Sequence, residues 1–407
     1  MVSKRVLLPE GVQDILIDDC VYRRSLEDRL MNNLNKMGYM EVSSPSLEYY
    51  DMFSSDYLAT SGDQMFKLID TNGKLLTLRP DCTIPMARIV ATKMKDFIYP
   101  VKLSYVENVF RIDEEQAGKE REFRQAGVEL FGISSYKGDV EVIVTAIESL
   151  KDLGLEDFQI DIGQVKILKE VFQNIDIEEE EKEVLIEFIE NKNFIELEEY
   201  VEGLGLEPKI AQILAEIPRL FGTPQEVLVA LGELPLTEAM VEAVEELTLV
   251  CQSIERIGLG KYISIDLGMV ARLNYYTGII FKGFTKSLGV VLLSGGRYDQ
   301  LMENFGVKCP ATGFAFLVNK ITKALKLQDK LNIPKINHYL VIESGQLGTK
   351  ALDAIKDLRE QGNIVEVSLL EEKNEILEYV KRRKIDEVIE INRDGSCLLY
   401  TSPSPRD

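Results

Sequence analysis

Two long segments in the first third of the chain have the residue pattern of β-strands. Val101–Arg111 and Glu122–Gly132 both alternate apolar and polar residues, and a polar, charged connection from residue 112 to 121 separates them. Such alternation is typical of strands that bury one face. The chain is therefore predicted to be built around a β-sheet.

Other helices and strands are predicted on both sides of this pair. Helical spacing of apolar residues covers 18–37, 82–94, 138–153 and about 314–327, and strand patterns occur at 39–44, 262–267, 276–281 and 289–294. Residues 67–79 indicate a hairpin, because Asn72-Gly73 favours the positive φ angles of a tight turn. Helices and strands thus alternate irregularly, as in an α+β protein.

The segment from about 164 to 260 differs in character from its flanks. It is acidic and helical, and glycines and prolines at 203, 205, 208, 218 and 224 divide it into short helices. Strand patterns return after it, so it is interpreted as a helical insertion into the sheet domain of residues 1–330.

The C-terminal part is predicted to form a separate small domain. A proline-containing linker at 331–335 precedes alternating strand and helix patterns in 336–395, which indicate a three-layer α/β module with a parallel sheet. Residues 396–407 end in Ser-Pro-Ser-Pro-Arg-Asp and continue no pattern. They are interpreted as a non-native or disordered tail outside the fold.

Composition excludes several classes of function. The chain has 407 residues and a net charge of −21, which lowers the expectation of a tRNA partner, since nucleic-acid binding depends on cations. The basic run Lys381–Lys384 is interpreted as a solvated helix face. The five scattered cysteines and the single histidine, His338, predict no disulfide and no metal site. No membrane span or signal peptide is predicted, which favours a cytoplasmic location.

The segment Met269–Phe281, with its Leu-Asn-Tyr-Tyr-Thr-Gly run, resembles the histidine-binding segment of histidyl-tRNA synthetases. Further motifs in the same order extend the resemblance over about residues 5–330. They are Pro9–Asp14, Gly38–Pro45, Thr77–Thr83, Phe110-Arg111, Gln125–Gly132, Ser294–Leu301 and Ala311–Lys320. The resemblance implies a class II synthetase-like antiparallel sheet flanked by helices, with a shortened anticodon-binding domain at the C-terminus. It also implies a homodimer through this core.

The resemblance also implies a histidine pocket. The family holds the ammonium of histidine with the residues that correspond to Asp81, Thr83 and Gln125. Glu129 would hold an imidazole N–H, with the Tyr275 hydroxyl nearby and Tyr276 lining the pocket. Charge-assisted hydrogen bonds of this kind are strong. No cofactor is implied.

Several groups that synthetases use to activate histidine are replaced. Arg111 keeps one phosphate-binding position, but the strand arginine of the family is Ala271 and its aspartate is Asn274. The family's Glu-Arg pair in the third motif is Asn319-Lys320, and lysine cannot form a bidentate guanidinium contact. Arg272 is shifted by one position, and Glu114 replaces a loop arginine. We therefore expect histidine activation to be lost.

A pocket without activation is typical of the regulatory subunits of ATP phosphoribosyltransferase, which are paralogues of histidyl-tRNA synthetase. The resemblance implies a short-form catalytic partner that condenses ATP with phosphoribosyl pyrophosphate in the first step of histidine biosynthesis. It also implies a hetero-octamer and feedback inhibition by histidine. A divergent, active histidine–tRNA ligase remains an alternative, because this chain has a C-terminal module that some regulatory subunits lack. A stand-alone histidine sensor is a third.

Gly295-Gly296 offers a weaker signal. The pair suggests a phosphate-binding loop, but neither of the longer glycine-rich phosphate motifs is present. A tight turn that requires glycine is the preferred interpretation.

Overall fold

The computed structural model describes residues 7–53, 64–112, 120–270, 275–285, 289–330, 336–343, 349–391 and 397–401. The chain divides into two compact units, Met1–Leu331 and Asn332–Asp407.

The first unit contains helices and strands in an irregular order. Its helices are α1 (Ile17–Lys36), α2 (Thr83–Lys93), α3 (Tyr136–Asp152), α4 (Val165–Asn174), α5 (Glu179–Glu190), α6 (Phe194–Gly203), α7 (Pro208–Glu216), α8 (Pro224–Leu231), α9 (Glu238–Arg256) and α10 (Val318–Leu327). Its strands are β1 (Met40–Glu41), β2 (Leu47–Tyr49), β3 (Lys67–Ile69), β4 (Leu75–Leu78), β5 (Val101–Phe110), β6 (Glu122–Phe131), β7 (Phe158–Gln164), β8 (Phe221–Gly222), β9 (Ile263–Asp266), β10 (Ile279–Thr285), β11 (Val290–Arg297) and β12 (Ala311–Leu317).

Nine of these strands form one large sheet in the order β1-β5-β6-β12-β11-β10-β7-β9-β8. The pairs β1–β5 and β7–β9 are parallel and the others are antiparallel. A smaller sheet, β2-β4-β3, contains the predicted hairpin, where Gly73 has a φ of 80°. The predicted α+β fold, with a mainly antiparallel sheet and flanking helices, is confirmed.

The alternation along β6 separates the two faces of the large sheet. Ala126, Val128 and Leu130 are buried in the main core together with the flanking helices. Gln125 and Glu129 occupy the alternate positions, so they project from the opposite face. That face is covered by a second apolar cluster, which includes residues of α2 and of β5. The predicted pocket residues of β6 therefore lie on the α2 side.

Two predictions near the sheet centre were wrong. The helix expected from about Phe314 begins only at Val318, and Ala311–Leu317 instead form β12 between β6 and β11. A short apolar run does not by itself distinguish a strand from a helix. Gly295 and Gly296 lie inside β11 and not in a turn. A Cβ at Gly295 would overlap the Phe314 side chain, so glycine permits close packing of neighbouring strands.

The helices α4 to α9 lie between β7 and β9 in the chain, where the sequence indicates a helical insertion. Prolines begin α7 and α8, and Gly203 ends α6, as expected from their effect on helices. Thr223 caps α8 through a capping box with Glu226. Most of the buried apolar residues of this segment belong to the same core as the sheet.

The second unit is a small α/β module. It consists of β13 (His338–Glu343), α11 (Thr349–Glu360), β14 (Ile364–Val367), α12 (Lys373–Arg383), β15 (Glu387–Ile391) and β16 (Cys397–Thr401), with strand order β14-β13-β15-β16. Adjacent residues of β13 point to opposite faces, since Leu340 packs with Ile376 of α12 and Val341 packs with Ile355 of α11. One helix thus covers each face of the sheet, which gives three layers.

The tail interpretation requires a correction. The sequence predicts a tail outside the fold at residues 396–407, whereas Cys397–Thr401 form β16 and pair antiparallel with β15. Strand pairing at a sheet edge uses backbone groups, so it can occur without the alternation that sequence patterns detect. Residues 402–407 lie outside the described part of the chain.

Candidate ligand-binding cavity

The α2 side of the large sheet contains an open cavity of about 480 Å³, a volume that includes its mouth. The described residues that line it are Asp81, Thr83, Tyr105, Arg111, Gln125, Tyr275, Tyr276, Ser294, Gly295, Tyr298, Gly313, Phe314 and Ala315. They come from several separate segments of the sequence, which the sheet order brings together.

Six of the residues singled out from the sequence line this one cavity: Asp81, Thr83, Gln125, Tyr275, Tyr276 and Arg111. Glu129 does not line it directly. Its carboxyl group lies next to Gly313 and accepts a hydrogen bond from the hydroxyl of Tyr298, and both of those residues do line the cavity. The predicted set is thus assembled around one space, with Glu129 behind its wall.

Glu129 is a buried carboxyl group without a cationic partner among the described residues. It is 1% exposed, and its Oε1 atom has no hydrogen-bond partner there. Burial raises its pKa to about 8, although the hydroxyls of Tyr298 and Thr83 favour the charged form. The carboxyl is therefore largely protonated at pH 7, and it is available to an N–H donor or a cation that enters the site.

Asp81 and Arg111 form the polar end of the cavity. Asp81 Oδ1 accepts a hydrogen bond from the backbone N–H of Ile84 at 3.2 Å, which stabilises the start of α2. Arg111 Nη2 lies 3.6 Å from Asp81 Oδ2, and Arg111 Nε donates to the Pro80 carbonyl at 2.6 Å. The guanidinium also lies over the Phe123 ring, 5.6 Å from its centroid. These three contacts thus fix the position of the Arg111 guanidinium.

Aromatic rings form one wall of the cavity. The rings of Tyr275 and Tyr298 are stacked with centroids 5.5 Å apart, and Tyr276 packs edge-on against Tyr275 at 4.9 Å. Burial raises the pKa of the Tyr275 and Tyr298 phenols well above the usual value. Both hydroxyls therefore stay protonated and can donate hydrogen bonds inside the site.

Glycines leave room for large side chains of this site to lie over the neighbouring strand. Gly313 is the neighbour of Glu129 on β12, and a Cβ there would overlap the Glu129 carboxyl. A Cβ at Gly127 would overlap the Tyr105 hydroxyl. Both positions illustrate glycine at a close approach rather than in a turn.

Sequence reasoning missed part of the lining. The residues it did not assign are Tyr105, Ser294, Gly295, Tyr298, Gly313, Phe314 and Ala315. Tyr105 could have been found, because it lies two positions after Leu103 in β5 and so shares the cavity-side face of the strand. Tyr298 lies inside a motif used for the resemblance, but its contact with Glu129 depends on residues that are 169 positions apart.

Only some of the residues that replace the activating groups of synthetases belong to the described part of the chain. Ala271, Arg272, Asn274 and Glu114 lie outside the described residues. The Asn319 amide donates to the Glu120 carboxylate at 2.8 Å, and neither Asn319 nor Lys320 is among the lining residues of the cavity. Within the described lining, Arg111 is the single cationic side chain.

The described residues contain no group of three or more histidine, cysteine or acidic side chains that could hold a metal ion. Among them there is also no helix that is long and apolar enough to cross a membrane.

The histidyl-tRNA synthetase family matches residues 11–321 of the chain. An ATP phosphoribosyltransferase regulatory subunit of Alkaliphilus metalliredigens is 54% identical over 393 residues, covering 96% of this chain and 99% of the relative. A protein of the same name from Acetivibrio thermocellus is 42% identical and covers 91% of this chain and 88% of its own length.

Solved structures agree with these relatives. An ATP phosphoribosyltransferase regulatory subunit/histidyl-tRNA synthetase from Bacillus halodurans has a TM-score of 0.84 and 30% identity, covering 95% of this chain and 98% of its own. A histidyl-tRNA synthetase from a Nostoc species has a TM-score of 0.79, with 98% and 97% coverage, and at 22% identity it shows the shared fold alone. The chain therefore belongs to the family of ATP phosphoribosyltransferase regulatory subunits, which shares the histidyl-tRNA synthetase fold.

Proposed function

We propose that this chain senses histidine in the cavity described above and regulates a short-form catalytic ATP phosphoribosyltransferase subunit. The chain itself is a non-catalytic regulatory subunit, as the names of its relatives indicate. The proposal adds the ligand, its site and the partner. It includes the cytoplasmic location that the sequence predicts.

The observation that carries the proposal is the unpaired, buried carboxyl of Glu129 next to a cavity of matching polarity. Histidine has an ammonium group, a carboxylate and an imidazole. Asp81, Thr83 and Gln125 offer acceptors for the ammonium, and Arg111 can pair with the carboxylate. Glu129 Oε1 is free to accept the imidazole N–H. A buried polar group of this kind is costly to the fold unless a ligand satisfies it.

The same cavity gives little support for amino-acid activation. Stabilising ATP phosphates needs several preorganised cations, and losing one such group commonly costs about 10²–10³ in rate. The described lining provides Arg111, which already contacts Asp81 and the Pro80 carbonyl. This distribution of charge favours a binding site over the alternative, an active histidine–tRNA ligase.

Regulation requires that histidine bind two states of the complex with different affinities. We propose that the chain forms a homodimer through its synthetase-like core and joins the catalytic subunit in a hetero-octamer. The β2-β4-β3 sheet supports a subunit interface there, because Leu47, Tyr49 and Leu68 share one of its faces and are 52%, 53% and 40% exposed. Such an apolar surface is typical of an interaction site.

Calorimetric titration of the purified chain with histidine tests the site. We expect saturable binding to the natural chain and at least tenfold weaker binding to Glu129→Gln, because glutamine cannot ionise to pair with an imidazolium that enters the site. Asp161→Asn is the matched control: Asp161 is a partly buried carboxyl on β7 that contacts Ser264 and does not line the cavity. Equal affinities for all three proteins would contradict the assignment of Glu129.

A second experiment tests the partner. The chain is mixed with a short-form catalytic subunit, and the condensation of ATP with phosphoribosyl pyrophosphate is followed with and without histidine. We expect the chain to activate the reaction and histidine to inhibit it, with the inhibition lost in Glu129→Gln. Histidine-dependent exchange of pyrophosphate into ATP by the chain alone would instead support the ligase.

A further inference from the structure

The first helix of the insertion contacts the tyrosine segment of the cavity at two successive turns. The Lys169 ammonium in α4 donates to the backbone carbonyl of Tyr276, with 2.6 Å between Nζ and O. Val165, one turn earlier, packs with Met269 and Ile280 against the Tyr276 side chain. Residues four apart lie on the same helix face. One face of α4 therefore supports Tyr276 through both its ring and its backbone.

A backbone hydrogen bond reinforces this junction. The N–H of Val165 donates to the carbonyl of Gly278 at 3.1 Å, where α4 begins. The N–H of Thr277 donates to the carbonyl of Arg297 on the other side of the segment, at 2.7 Å. Residues 276–278 are thus held between α4 and β11.

The Lys169 side chain is not fully exposed to solvent. It is half-buried, and burial lowers its pKa from the usual value. Within the described residues no carboxylate pairs with its ammonium, so the Tyr276 carbonyl is the acceptor the structure gives it. A buried charge with one neutral acceptor is costly, which suggests that this contact serves the neighbouring segment.

The position of α4 is set independently by α9. Glu246 of α9 accepts hydrogen bonds from Gln164 Nε2 at 2.9 Å and from Lys166 Nζ at 2.7 Å. Both contacts lie at the first turn of α4 and leave Lys169 free to contact Tyr276. The Lys166 pair is exposed and contributes little, so the Gln164 contact and the apolar packing of α4 should keep the helix in place when Lys166 is replaced. A displacement of the insertion helices would therefore move the Lys169 ammonium relative to the Tyr276 carbonyl.

We propose that Lys169 is a positioning residue for the cavity, through which α4 of the helical insertion holds Tyr275 and Tyr276 in their binding geometry. The inference rests on the proposed histidine site, because it assigns to Lys169 an effect on ligand affinity. It also gives the insertion a role in that site, since an altered position of α4 would alter the tyrosine wall.

The test uses Lys169→Met in the full chain, with Lys169→Arg as the conservative variant and Lys166→Met as the matched control on the same helix. We expect Lys169→Met to weaken histidine binding by about tenfold, the range for a hydrogen bond from a charged donor. Lys169→Arg should recover most of that affinity, and Lys166→Met should bind like the natural chain. Unchanged affinity in Lys169→Met, or equal losses in both methionine variants, would overturn the proposal.

Hydrogen exchange separates this inference from the proposed function. The N–H groups of Val165 and Thr277 should exchange faster in Lys169→Met than in Lys166→Met, whether or not histidine binds. If the natural chain does not bind histidine, the proposed function fails, and faster exchange would still support the positioning contact. Unchanged exchange in Lys169→Met would overturn the contact itself.

Discussion

Glu129 and Asp139 are both buried in the first unit, but only Asp139 has a cation beside it. The Asp139 carboxylate accepts hydrogen bonds from Arg297 Nη2 at 2.8 Å and from Arg297 Nε at 3.1 Å. Glu129 has the hydroxyl of Tyr298 instead, and its Oε1 atom has no partner among the described residues. The two carboxyl groups are thus equally buried, but only that of Asp139 is compensated by a positive charge.

The difference shows in the pKa values and in what each group can do. Burial raises the pKa of Asp139 to about 6, with Arg297 opposing the shift, so Asp139 remains mainly ionised at pH 7. Burial raises the pKa of Glu129 to about 8, so Glu129 is mainly neutral. The paired carboxylate links α3 to the end of β11. The unpaired one is costly to the fold and available to a ligand.

The largest expected effect comes from breaking the paired case. Asp139→Asn leaves the Arg297 guanidinium buried with less compensating charge, and removing one partner of a buried ion pair typically costs about 3–5 kcal/mol. Urea unfolding at pH 7 should show this loss, while Asp161→Asn should change stability much less. A loss below about 1 kcal/mol would mean that Asp299 and the backbone carbonyls near Arg297 compensate its charge.

Glu129→Gln should instead increase the free energy of unfolding, by an amount that depends on pH. Below the ordinary pKa of 4.5 the carboxyl is neutral in both folded and unfolded chains. As pH rises from 4.5 towards 8 the unfolded chain ionises and the folded chain does not, so the natural protein loses stability there. Glutamine avoids this loss, and we expect a gain of roughly 2–4 kcal/mol at pH 8, since each pKa unit corresponds to about 1.4 kcal/mol.

Thermal unfolding of both proteins at pH 5 and pH 8 measures this difference. The gain in the variant should be small at pH 5 and largest at pH 8. A gain that does not vary with pH would show that Glu129 does not titrate in this range, and the contrast with Asp139 would then fail.

The smallest expected effect is that of Tyr298→Phe. The Tyr298 hydroxyl donates to Glu129 Oε2 and favours the charged carboxylate, so its removal should raise the pKa of Glu129 further. We expect histidine affinity to fall about fivefold, corresponding to about 1 kcal/mol for one hydrogen bond. Calorimetry measures this, with Tyr262→Phe as the control, because Tyr262 stacks on Phe158 outside the cavity. Equal affinity in both variants would contradict a role for Tyr298.

Much of the fold was predictable because its signals are local. The alternation in β5 and β6 predicted both strands, and the helical spacing before Gly38 predicted α1 to within a residue or two. Ordered motifs drew attention to Asp81, Thr83 and Gln125, which line one cavity. The lining of the cavity beyond these residues was not predictable, because Tyr298 and Gly313 reach it from strands distant in sequence.

The sequence by itself therefore determined the type and order of most elements and the family. It also determined which residues stand where synthetases carry activating groups. Only the tertiary structure decided that Ala311–Leu317 is a strand, that Gly295 lies inside another, and that Cys397–Thr401 extends the small sheet. It alone decided which buried carboxyl meets an arginine and which acceptor meets Lys169. The physical reason is that periodicity reports the face of an element, whereas pairing and charge compensation depend on neighbours far away in the chain.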